Sequence, residues 1–79
     1  MSTLDYYAEA RKISANLKSI GRETDGRKLL DAIDAGSTGT EILMALRYHL
    51  TNLLKDKNLP VDIIASATIL SESINSALS

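Results

Sequence analysis

Residues 35–55, "AGSTGTEILMALRYHLTNLLK", decide how this chain folds. Two glycines and three hydroxyl residues run straight into an apolar segment. Leu43, Leu46, Leu50, Leu53 and Leu54 recur at steps of three and four, the spacing of one face of an α-helix, with Ile42 and His49 at its edge. Thr38 and Glu41 stand at the capping-box spacing. The Thr38 hydroxyl serves a backbone N–H three residues on, and Glu41 is placed to reach back to the N–H of Thr38. Gly36 closes one helix and Thr38 opens the next, which predicts a helix over residues 39–56. Lys55 and Lys57 fall near its negative end.

Working outward, the same periodicity recurs on both sides. Tyr6, Ala10, Ile13, Leu17 and Ile20 form a stripe that predicts a helix over 3–20, with Ser2 or Thr3 as cap and Gly21 as terminator. Leu29, Leu30 and Ile33 predict a shorter helix over 25–35, capped by Thr24 or Asp25 and weakened by Gly26 near its start. Pro60 fits the first turn of a helix over 60–78, on which Ile63, Ala67, Leu70, Ile74 and Leu78 face the core. Ser66, Thr68, Ser71, Ser73 and Ser76 are expected on its opposite face. No segment alternates as a half-buried strand does. The expected architecture is all-α: one domain over residues 1–79, an antiparallel four-helix bundle with short loops.

Composition removes several functions. There is no Cys, so thiolate metal sites and disulfides are out, and one His leaves carboxylates to supply every other ligand of any metal. No metal and no cofactor is expected. Net charge is −1 from nine basic and ten acidic residues, which gives no global attraction to nucleic acid or to an anionic membrane. No run of about 18 apolar residues supplies a membrane span, and no basic-then-apolar leader is visible; the default location is cytoplasmic. At 79 residues the chain buries only roughly 60% of the surface its unfolded form exposes. Pairing with a second copy as a homodimer is one way to gain core.

Four features bear on chemistry. "AGSTGTEIL" lacks the lysine and the spacing of a phosphate loop, and its glycines are accounted for by helix ends. Ser37 occupies the place where an acyl or peptidyl carrier protein bears its phosphopantetheine arm, yet the Asp-Ser-Leu motif of that family is missing; a degenerate carrier ranks last. Asp31 and Asp34 share a helix face without the oxygen-rich loop a Ca²⁺ site needs. His49 borders the apolar stripe without an evident nucleophile or orienting group, so no catalytic residue is assigned and an enzyme is not expected.

Two candidate binding surfaces remain. Arg47, Tyr48 and His49 are candidate protein-binding residues, since Tyr and Arg are enriched at interaction hot spots. Arg11, Lys12, Lys18, Arg22, Arg27 and Lys28 make a locally basic region, +4 between residues 11 and 28, whose alternative use is nucleic acid in a small regulatory protein. Without stacking aromatics that use is not favoured.

From Leu29 to Ile74, and most of all in "LLDAIDAGSTGTEILMALRYHLTNLLKDKNLP", the chain resembles the small bacterial immunity proteins of the class IIa bacteriocin type. Those proteins also read as a helix, a glycine-punctuated break, a leucine-rich helix, a Leu-Pro hinge and a last amphipathic helix. The resemblance implies a cytoplasmic four-helix protein that protects its host from a toxin. It transfers no functional residue, because the family has no short motif. The expected function is therefore a non-enzymatic helical protein–protein interaction module, which the resemblance narrows to an immunity-like protein that neutralises a toxin or bacteriocin.

Overall fold

The computed structural model describes residues 4–79. They form four α-helices and no strand: α1 (Tyr6–Ser19), α2 (Glu23–Ala35), α3 (Gly39–Leu53) and α4 (Val61–Leu78). Contacts run in a ring. α1 packs on α2 and α4, and α3 packs on α2 and α4, with the α1–α2 contact the most extensive. One core results, in which Ile13, Leu17, Leu29, Leu46, Leu50, Leu70 and Ile74 are almost wholly enclosed.

The helix ends depart from expectation by a few residues, each for a local reason. α1 starts at Tyr6 because Asp5 caps it. The Asp5 backbone is extended, and its Oδ1 accepts the Ala8 N–H at 3.0 Å. The expected caps Ser2 and Thr3 lie outside the described residues. At the other end Gly21 takes φ +81°, the left-handed region that favours glycine. The Gly21 N–H donates to Lys18 O at 3.1 Å and the Arg22 N–H to Leu17 O at 2.8 Å, the paired bonds of a Schellman ending. That ending turns the chain so tightly that α2 begins at Glu23. Neither Thr24 nor Asp25 caps it; both lie in its first turn, and Arg22 precedes the helix without a side-chain cap.

Gly36 does end α2, but at φ −72° rather than in a left-handed turn. Its lack of a side chain serves space instead. A Cβ at Gly36 would collide with Cγ1 of Ile42, which folds back from α3. Thr38 caps α3 as expected, its Oγ1 accepting the Glu41 N–H at 3.2 Å. The return half of the box does not form. The Glu41 carboxylate instead accepts from the Ser37 hydroxyl at 3.2 Å. α3 stops at Leu53, three residues short of the predicted end, because the Asp56 carboxylate takes the Asn58 N–H at 2.9 Å and holds the chain in a turn. Lys55 and Lys57 consequently lie beyond the helix. Pro60 sits just before α4, with ψ 144°, rather than within its first turn.

The core stripes match with shifts at the margins. Leu30, Ile33, Leu43, Leu54 and Leu78 are half-buried, and Ile20 is exposed. On α4 the serines do not form one outer face, since Ser71 is buried and Thr68 and Ser73 are half-buried.

Gly26 has a role its helix propensity conceals. It is buried where α2 crosses α1, and the Ser14 hydroxyl donates to its carbonyl at 2.9 Å. A Cβ at this position would stand 2.8 Å from the Ser14 carbonyl oxygen, a backbone atom that cannot swing away. Propensity alone says Gly26→Ala stabilises an exposed helix by about 1 kcal/mol. Here overpacking outweighs it, and the substitution is expected to destabilise by about 1–3 kcal/mol. Urea denaturation fixes the sign: a rise in the midpoint would show that α1 and α2 do not depend on this contact.

Candidate functional site

The three consecutive residues singled out on α3 occupy one continuous surface. Tyr48 stands outward, 65% exposed. The His49 ring meets the Tyr48 ring edge-on, with centroids 5.3 Å apart and planes at 73°. The Arg47 guanidinium lies the other way and donates to Asn75 Oδ1 of α4 at 3.1 Å. One turn earlier Met44 is half exposed, at 50%. Met44 is not among the residues singled out from the sequence, although its one-residue offset from Leu43 places it off the leucine stripe and so outward.

Tyr48 divides two hollows. On the α4 side is a shallow groove of ≈550 Å³ between Met44, Arg47, Tyr48, Thr51, Lys55 and Asn75. On the α2 side is a narrower crevice of ≈390 Å³ whose walls include Arg22, Asp25, Lys28, His49, Asn52 and Asp56. Arg22 bridges that crevice. Its Nε donates to Asp25 Oδ2 at 2.8 Å and its Nη1 to Asp56 Oδ2 at 2.7 Å, joining the start of α2 to the turn after α3. Both partners hold the guanidinium in its charged form. The Asp56 carboxyl is held below its usual range, first by the Asn58 amide and then by Arg22.

These pairings change the meaning of the basic region. Arg22 is spent on two carboxylates, and Lys12 pairs with Glu9 at 3.3 Å. Arg27 and Lys28 line a depression together with Glu23 and Asp31. Arg11 and Lys18 are exposed on α1. The six residues are thus interleaved with acidic groups. Ser37, in the link between α2 and α3, is exposed and engaged with Glu41. Asp31 and Asp34 are exposed on α2, and among the described residues no three potential ligands come together to hold a metal ion. His49 makes no hydrogen bond to another described residue, so nothing fixes which ring nitrogen carries the proton. No helix among the described residues is long and apolar enough to cross a membrane.

The clasp has a pH signature. Because Asp56 has a lower value folded than unfolded, its contribution is complete above the ordinary carboxylate value of ~3.9 and is lost as pH falls through the folded value. Asp56→Asn is therefore expected to lower Tm at neutral pH, with the gap to the unaltered chain closing between about pH 5 and about pH 2. Parallel Tm-against-pH curves for the two chains would mean that the clasp adds no stability.

The chain matches no protein-family model, no curated protein and no solved structure.

Proposed function

We propose that this chain is a non-enzymatic helical module that binds another protein through the outer face of α3. The observation that supports it most directly is the grouping of Met44, Arg47 and Tyr48, with the two apolar side chains left half or more exposed beside a groove. Met, Arg and Tyr are the residue types that interface cores favour. Tyr presents a large contact area at a low entropy cost, Arg brings a planar fork of donors, and Met adapts to an irregular partner. Arg47, Lys55 and Lys28 line the hollows on either side of Tyr48, and Arg22 offsets one of the two charges of Asp25 and Asp56, which leaves cations in excess around it. The partner that fits is apolar at its centre and acidic at its rim, and its binding weakens as salt rises.

The narrower form of the proposal is an immunity-like protein that neutralises a toxin or bacteriocin. It is supported by the resemblance over residues 29–74 and by the four-helix fold that this resemblance implies. In that form, cells making the chain survive the toxin and cells making the Tyr48→Ala chain do not.

Tyr48→Ala is the decisive variant, because an exposed side chain can be removed without opening the core. If Tyr48 anchors the contact, truncation costs about 2 kcal/mol or more, roughly 30-fold in Kd, with Tm unchanged. Proteins retained from host lysate by the unaltered chain are compared with those retained by Tyr48→Ala, and the affinity of each difference is measured. Identical retention by both chains would remove α3 as the binding face.

A further inference from the structure

We infer that the groove between α3 and α4 takes a carboxylate side chain of the partner on Arg47, and that Asn75 is the residue that positions Arg47 for it; the inference rests on α3 being the binding face. Among the described residues two arginines are half-buried, Arg22 and Arg47. Arg22 faces two carboxylates, Asp25 and Asp56. Arg47 has none within ion-pair distance among the described residues. Its Nη1 donates instead to a neutral amide, Asn75 Oδ1, at 3.1 Å. The residues one turn away on α3, Leu43, Met44, Leu50 and Thr51, are uncharged. One of the five N–H groups of the guanidinium is thus engaged, and the others meet no acceptor among the described residues.

A partly desolvated cation gains more from a counter-ion than a fully solvated one, because less water screens the pair. The groove itself offers no counter-ion. Its walls, which include Met44, Tyr48, Thr51, Lys55 and Asn75, hold no acidic side chain, and Lys55 adds a second positive charge. A carboxylate suits Arg47 best, since its two oxygens match the planar guanidinium fork. Asn75 accepts from Arg47 without cancelling its charge. It therefore orders a long side chain before the partner arrives and leaves the charge for the partner to meet. An aspartate in its place would keep the geometry and remove the charge. Met44 and Tyr48 stand exposed on the same groove, so the carboxylate belongs beside an apolar group. The partner segment that fits presents Asp or Glu next to an apolar side chain.

NMR on the isotope-labelled full chain tests the site without the partner. The probe is hydrocinnamate, which joins a carboxylate to an apolar ring. Hydrocinnamamide is its neutral control, and both are added at constant ionic strength. Saturable shifts are expected at Met44, Thr51, the Arg47 Nε–H and the Asn75 side-chain amide, with a Kd for the acid on the order of 1–10 mM. The amide is expected to bind at least about fivefold more weakly, because it brings no charge to Arg47. Asn75→Asp alters charge and not shape at an exposed position, and is expected to weaken the acid at least about tenfold with the spectrum outside the groove unchanged. Asn75→Ala leaves Arg47 charged but unpositioned, and a loss of about threefold is expected. No saturable shift in the groove, equal binding of acid and amide, or full binding by Asn75→Asp would each overturn the inference. Retention from host lysate separates it from the reading it rests on. A protein held by the unaltered chain and lost by both Tyr48→Ala and Asn75→Asp supports the carboxylate contact. One lost by Tyr48→Ala alone overturns that contact and leaves α3 as the binding face. One held by all three chains removes α3, and the inference with it.

Discussion

The crossing of α1 and α2 at Gly26 sets the rest of the structure. With no Cβ on Gly26, the two backbones come close enough for the Ser14 hydroxyl to reach the Gly26 carbonyl. A buried hydroxyl without a partner would cost more than the bond returns, so Ser14 and Gly26 need one another. That contact fixes how far α2 lies from α1, and the Schellman turn at Gly21 fixes where α2 begins. Between them they place Arg22 where it can reach both Asp25 in its own helix and Asp56 in the turn after α3. A constraint inside the first helix pair thus reaches the far end of the third helix through one guanidinium.

Most of the fold follows from period and punctuation. The leucine spacing of α3 and the Thr38 cap can be read before any contact is known, because both depend only on neighbours within one turn. Gly26 could not be read that way. By propensity it is a weak point in α2, whereas in the packed protein it is where the α2 backbone lies close against Ser14 of α1, a property of two helices rather than one. The end of α3 was hidden for the same reason. Its apolar pattern runs on through Leu54, and the helix stops early because Asp56 has better partners in Asn58 and Arg22. The Glu41 side chain is a smaller case, since Ser37 competes with the Thr38 N–H for its carboxylate.

The candidate site was legible as residue types and not as geometry. Arg47, Tyr48 and His49 are consecutive, and consecutive helical residues diverge by about 100°, which argues against a single surface. In the structure they part around one ridge, Arg47 and His49 lying on either side of Tyr48. His49 leans into the crevice toward α2, Arg47 ties to Asn75 of α4, and Tyr48 stands on the ridge between. The basic region shows the converse. Of the residues that look like one cluster along the chain, Lys12 and Arg22 are held in ion pairs by Glu9, Asp25 and Asp56, and Arg27 and Lys28 share a depression with Glu23 and Asp31.

The size of the chain connects the two outward faces. Four short helices enclose one layer of core, and apolar side chains beyond that layer remain at the surface. Isolated exposed aliphatics are ordinary on any protein. What distinguishes these is the company they keep. Met44 and Tyr48 stand beside cations and a groove, so under the proposed reading a partner there would be selected by charge as well as by shape. Ile69 stands among alanine and serine on a helix with only two ionisable side chains. A face that selects by charge discriminates among different proteins, because the wrong charge pattern is repelled. The division of charge between α3 and α4 thus leaves α3, and not α4, as the face whose charge pattern could discriminate under the proposed reading.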